Sequence, residues 1–578
     1  MKLKSRSIFA ASSLLVIHVG MSTTALHAAD WLSTGTTDWH TASNWNTNAV
    51  PVGQAAVILT NTGSIATITA NPIGNPNDVI VGNASGTNGR VDHSAGTLTT
   101  GSWVKIGHNS GNGTYNLANT AGTGGAFTGF GQGSGSLNMT GGQFRLGGDN
   151  GTNTLGNGTF NMHTTGTVTV NNGAVAIGQN GNGTLNIDSG IFNKTGSGNF
   201  VVGGTSGRTG TLNISGGTIN NSGEFQVSNS GSTGVVTMTG GSIITSSWVG
   251  IGHGGGGTGT LNVNGGTFTK TGTGSAFTVG DGSNGFLNQT GGTVSIPQAE
   301  VWFGNGTGST TTNYNMSGGT FDAANWFVIG RSGGTATFTM TGGTINHTGT
   351  GSDLVVGADS TGCNGTVLLS GGLMNISGRN TDIGKGAGVG VVSISSTGEF
   401  RTGVMMLGAG ASATGTLNLN GGTLKVSSLS GGDGSATVNF NGGLLQAQAN
   451  SSTFISGLDT ADIQAGGALI DTQTFSVTAN QTFSGSGNIT KSGTGTLTLS
   501  GSSINHTGNV LVNSGTLAIF NTGFGGTDFT IADGAELKCF GTNGFDTRTL
   551  GTLTMGTSGA TVLSFDLGNL PGNPSFVP

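Results

Sequence analysis

Four tryptophans stand at matched places in the chain: Trp103, Trp248, Trp302 and Trp326 each lie two or four residues before a glycine that ends a short apolar run. Side chains alternate between the two faces of a β-strand. Residues one and three before the glycine are Val249 and Ile251, Val301 and Phe303, and Phe327 and Ile329, which marks that parity as inward. All four indoles therefore fall on the outward parity. An exposed aromatic face suits the apolar face of a sugar ring, so Trp248, Trp302 and Trp326 are candidate glycan-binding residues. Arg331, Asp359 and Lys385, at the corners after the same glycines in successive segments, would add polar groups beside them.

Other constellations carry less. The run "GRSGG" around Ser332 fits a nucleophile-elbow pattern but lacks the strand-turn-helix context that exposes such a serine. "IGKG" around Lys385 lacks the Ser or Thr and the following helix of a phosphate loop. His108 and His253 both follow "IG", yet they belong to segments about six coils apart, too far to share an ion. Glutamate occurs only at 224, 300, 399 and 536, and the aspartates are scattered. A carbohydrate-active β-helix enzyme, a lyase or hydrolase, is the alternative to a binding role. It would need several acidic or basic side chains in one groove. No catalysis, cofactor or metal is expected.

The elements that must position these residues are written as a repeat. "GTLNISGGTI" (210–219) returns as "GTLNVNGGTF" (259–268), "GFLNQTGGTV" (285–294), "ATFTMTGGTI" (336–345) and "GTLNLNGGTL" (415–424). The small pair after each apolar strand recurs every 21 to 29 residues, at Gly141, Thr165, Ser189, Gly216, Gly240 and onward to Gly442. Such a period belongs to solenoids. Leu212 and Ile214 share a face, Gly216 and Gly217 turn the chain, and Ile219 re-enters the core. A second apolar segment ends in Gly, as in "FVVG" (200–203). Two or three short strands with glycine corners make one coil, and the motif recurs because one coil cannot bury its apolar face alone. Asn138, Asn161, Asn186 and Asn213 are expected to stack as a structural amide ladder, resumed by Asn262, Asn288 and Asn315 after Thr237.

Composition agrees. The chain has 117 glycines among 578 residues, 7% charged residues and a net charge of −6, with no basic run to neutralise phosphates, so nucleic acid is excluded as a partner. Lys2, Lys4 and Arg6 precede an apolar run from Ile8 to Val19 and then "ALHAAD", an export signal over 1–29. No later segment reads as a transmembrane helix. Cys363 and Cys539 are separated by several coils and are expected to remain unlinked.

From Ser484 to Leu517 the chain runs "SGSGNITKSGTGTLTLSGSSINHTGNVLVNSGTL", which closely resembles the autotransporter-associated β-strand repeat of exported bacterial passenger proteins. The opening "WLSTGTTDWHTASNW", with Trp31, Trp39 and Trp45, is similar to the N-terminal segment of such proteins. The resemblance implies a right-handed parallel β-helix displayed outside the cytoplasm. A membrane barrel of the chain's own is not expected, because the roughly 60 residues after Leu517 lack barrel alternation.

The chain is thus read as all-β, a right-handed parallel β-helix of about 25 residues per coil. Residues 1–29 are the signal, 30–92 an N-terminal cap and first coils, and 93–445 the repeats. Residues 446–578 form a C-terminal solenoid bearing the repeat at 484–517. The expected role is structural or adhesive, secreted or at a bacterial cell surface, with extracellular polysaccharide or surface matrix as partner.

Overall fold

A computed structural model describes residues 28–58, 64–119, 130–148, 155–306, 311–349, 353–376, 378–501, 505–520, 527–540 and 550–566. The expected export signal lies almost wholly outside them. The described chain is all-β apart from a three-residue 3-10 turn at Ala42–Asn44. Parallel strands stack as a β-solenoid of about 20 turns with roughly 25 residues per turn. No helix among the described residues is long and apolar enough to cross a membrane.

One coil shows how the repeat folds. Thr209–Ile214, Thr218–Asn221 and Phe225–Asn229 are its three strands. The next coil lays Val236 on Leu212, Ile243 on Ile219 and Val249 on Phe225. Every apolar side chain is thus covered by an equivalent one, and the backbone pairs along the axis. The Gly-Gly corner needs both glycines for different reasons. A Cβ at Gly216 would collide with the Asp188 carbonyl of the coil before, and Gly217 has φ +68°, a left-handed conformation that a side chain disfavours.

The first two strands of a coil share one sheet, and the third belongs to a second sheet. Four successive strands of that second sheet frame the candidate site: β1 (Val249–His253), β2 (Phe277–Asp281), β3 (Val301–Asn305) and β4 (Phe327–Arg331). Among the described residues one apolar core runs from Ala29 to Cys539, beside a smaller cluster on the outer side of the second sheet. Trp31, Trp39 and Trp45 lie in it at 3%, 0% and 1% exposure, with Trp45 edge-to-face to both partners at 5.0 and 4.8 Å. The region resembling the autotransporter repeat continues the same stack, with Ile489 paired to Val510 and Leu497 to Leu517. Cys363 and Cys539 are buried and form no disulfide.

The amide ladder exists, with one correction. Asn161, Asn186 and Asn213 donate in turn to Asn116, Asn161 and Asn186 at 2.7, 2.7 and 2.8 Å. Asn138 is not a rung; it pairs with Thr99 and Thr169 in the neighbouring strand column. Its coil carries two similar strands, Asn112–Leu117 and Ser136–Met139, and the second imitates the start of a new unit. The same imitation inflates the distance between His108 and His253, whose coils are five steps apart along the second sheet.

The core also holds cations. Lys194, Asn221, Thr245 and Lys270 fill one inward column through consecutive coils. The Lys194 and Lys270 ammoniums donate to the carbonyls of Gly196 and Gly272, both at 2.7 Å. Lys491 is satisfied by Gly493 O at 2.7 Å, Ser514 O at 2.9 Å, and Ser492 O and Thr472 Oγ1 at 3.0 Å. Burial pulls Lys194 and Lys491 down to about 8 and lowers Lys270 as well.

Candidate functional site

The outward parity of the second sheet positions the tryptophans. Val249, Ile251, Val301, Phe303, Phe327 and Ile329 are buried in the core, and Trp103, Trp248, Trp302 and Trp326 are half-buried on the outer side. Looking along the stack, Gly250, Thr278, Trp302, Val328, Val355 and Asp382 form one outer column. Trp248 starts two residues before that column. It nevertheless reaches it, because Gly250 offers no side chain; a Cβ there would collide with Cη2 of the indole. Trp248 and Trp302 thus lie over the same column, two rungs apart, at about 10 Å by the sheet spacing.

Between them opens a cleft of about 320 Å³, lined by both indoles, Glu300, Asn325 and residues 273–276. Trp302 Nε1 donates to Glu300 Oε2 at 2.9 Å, which fixes the ring and turns the carboxylate into the site. Thr273 and Ser275 add hydroxyls to the wall. His253 packs edge-on against Trp248 at 4.7 Å, and its Nδ1 bonds Asp281 at 2.8 Å. Burial raises the Asp281 carboxyl, but hydrogen bonds from His253 and Asn305 outweigh it and hold the group below its ordinary value.

Trp326 and the corner charges stand elsewhere. Trp326 packs with Trp302 on a small apolar cluster of Val328, Val355 and Ala358. The Arg331 guanidinium lies over both rings, 4.1 Å from the Trp302 centroid and 5.1 Å from that of Trp326. Its Nη1 donates to Asn305 at 3.1 Å, and Asp359 stands 3.8 Å from Nε. Lys385 turns to Asp382 at 2.7 Å. Burial lowers this lysine, but Asp382 outweighs it and the net shift is upward. Ala358 follows Arg331 in the corner column and the register brings Lys385 in after it, so Asp359 lies outside that column and Lys385 stands two rungs from Arg331.

Trp248 and Trp302 are therefore brought together, Trp326 and Arg331 back one of them, and Asp359 and Lys385 stay outside the cleft. Glu300, Asn325 and Ser275 were not singled out by sequence. Glu300 did carry a signal, since it sits four residues before Gly304 on the same outward parity as Trp302. Ser332, at the corner after β4, has φ +53° and no helix follows it. Among the described residues no group of three or more His, Cys, Asp or Glu is arranged to hold a metal ion. No protein-family model, curated protein or solved structure matches the chain.

Proposed function

We propose that the protein is an exported, non-catalytic β-solenoid with a structural and adhesive role, and that it holds polysaccharide in the Trp248–Trp302 cleft. The observation that carries this reading is the pair of half-buried indoles over one outer column, joined by a carboxylate and hydroxyls. Aromatic faces bury the apolar side of a pyranose while polar groups bind its hydroxyls. Acid-base cleavage of a glycosidic bond uses two carboxyl groups facing one bond. Glu300 is the one ionisable side chain among the described residues lining the cleft, which supports binding over hydrolysis. Export rests on the basic and apolar N-terminal pattern and on the resemblance at 484–517 to autotransporter-associated repeats.

A glycan array tests the reading, with the wild type compared against a Trp248→Ala, Trp302→Ala double variant. Binding is expected for the wild type and lost in the variant, with the β-sheet circular dichroism unchanged. A wild type that binds no glycan, or a variant that binds equally well, would refute it.

A further inference from the structure

We infer that the ligand of the cleft is an uncharged, extended, equatorially linked polysaccharide of the β-1,4 type, lying along the solenoid axis; this deepens the adhesion reading above and rests on it. The first ground is spacing. Gly250, Thr278 and Trp302 are register neighbours, and Trp248 is admitted over Gly250. The two indoles consequently recur along the axis after two sheet spacings, about 10 Å. An extended β-1,4 chain is a two-fold ribbon in which every second ring presents the same face. The disaccharide that separates such faces has a length comparable to the separation of the indoles. Rings of one orientation can thus meet Trp248 and Trp302 together, and the ring between them bridges the column. A chain of α-1,4 links coils and does not repeat a ring face along a straight line at that distance.

The second ground is charge. Glu300 holds Trp302 through one oxygen, and its carboxylate lines the cleft. A carboxylate accepts hydrogen bonds from sugar hydroxyls and repels a uronate or sulfate. The nearest cation does not reverse this, because Arg331 stacks on Trp302, bonds Asn305 and is not part of the cleft lining. Serine, threonine and asparagine complete a wall suited to neutral hydroxyls.

Affinity electrophoresis of the full chain separates the possibilities, using soluble β-1,4-glucan, β-1,4-mannan, amylose and β-1,4-linked polymannuronate as probes. Retardation is expected in the first two and not in the last two. Trp248→Ala and Trp302→Ala should each weaken retardation at least tenfold, and Glu300→Gln should admit polymannuronate, which has the β-1,4 link and differs in charge. Preference for amylose or polymannuronate would overturn this inference and leave adhesion standing. Polymannuronate excluded equally by wild type and Glu300→Gln would overturn the role of the carboxylate. Retardation in none of the four, together with an array on which other glycans bind, would overturn the ligand class alone, whereas an array without binding would remove both.

Discussion

Trp31, Trp39 and Trp45 in the first coils and Trp248, Trp302 and Trp326 on the outer side of the second sheet are the same three side chains in two settings. The first trio is packed edge-to-face inside the core, with the Trp45 Nε1 donating to the Trp39 carbonyl at 3.0 Å. The second trio is half-exposed, and two of its members have charged partners: Glu300 on one indole, Arg331 over two. An indole that only fills space is matched by apolar neighbours on all sides. One held by a carboxylate at its rim or a guanidinium over its ring, and left half-exposed, is positioned for something that is not part of the chain.

The largest effect should come from the buried trio. Trp39→Ala should cost about 3–5 kcal/mol, read as lost hydrogen-exchange protection in the first coils, while Trp302→Ala should cost about 1 kcal/mol or less. Equal losses would erase the distinction between the two sets.

A second contrast separates inner from outer lysines. Lys194 and Lys491 titrate near 8 in the folded chain, against an ordinary 10.5. Between those values the unfolded chain binds more protons than the folded one, so stability should rise as pH increases from about 8 to 10.5. The combined Lys194→Met, Lys270→Met and Lys491→Met variant should flatten that rise, which is of the order of a few kcal/mol. The Lys385→Met variant, whose lysine lies outside beside Asp382, should keep it. A flat wild-type profile in denaturant melts across this range would contradict the burial of the ammoniums.

Gly250→Ala sharpens the comparison without replacing a residue of either trio. The added methyl displaces the Trp248 indole from its column. Glycan binding should fall about tenfold, close to 1.4 kcal/mol, with the sheet content unchanged. Retained affinity would show that the register of the two indoles is unimportant. The smallest effect belongs to the amide ladder: Asn186→Ala removes one donor and one acceptor from a half-exposed row and should cost about 1 kcal/mol in thermal or denaturant unfolding.

Much of the architecture is legible in the residues themselves. Alternation around "GTLNISGGTI" fixes which side chains enter the core, and the separation of the two cysteines along the repeat keeps them apart. The outward parity of the tryptophans follows from the same alternation. What parity cannot convey is how far a side chain leans. Trp248 reaches the column of Trp302 only because a glycine stands beside it, a fact that depends on register between coils. The polar wall is likewise drawn from three coils, so Glu300 and Ser275 meet only after stacking. Asn138 misled because one coil contains two strands of similar spelling. The buried lysines were readable in hindsight: Phe192-x-Lys194, Phe268-x-Lys270 and Ile489-x-Lys491 place the lysine on the apolar parity, each followed by Thr or Ser and then Gly. Charge suggests the surface, and the carbonyls that satisfy the ammonium appear only once the turn has formed.

The amide ladder has a direction. Asn116 donates to Asp92, Asn161 to Asn116, Asn186 to Asn161 and Asn213 to Asn186; Asn288 and Asn315 repeat the sense, and Asn439 donates back to Asn418. Each coil hands its protons to the coil made before it. The C-terminal face of any coil therefore offers the next one an acceptor, and the N-terminal face offers a donor. A finished turn can thus serve as the template for a neighbour on either side, half of each new bond being in place before the next coil arrives.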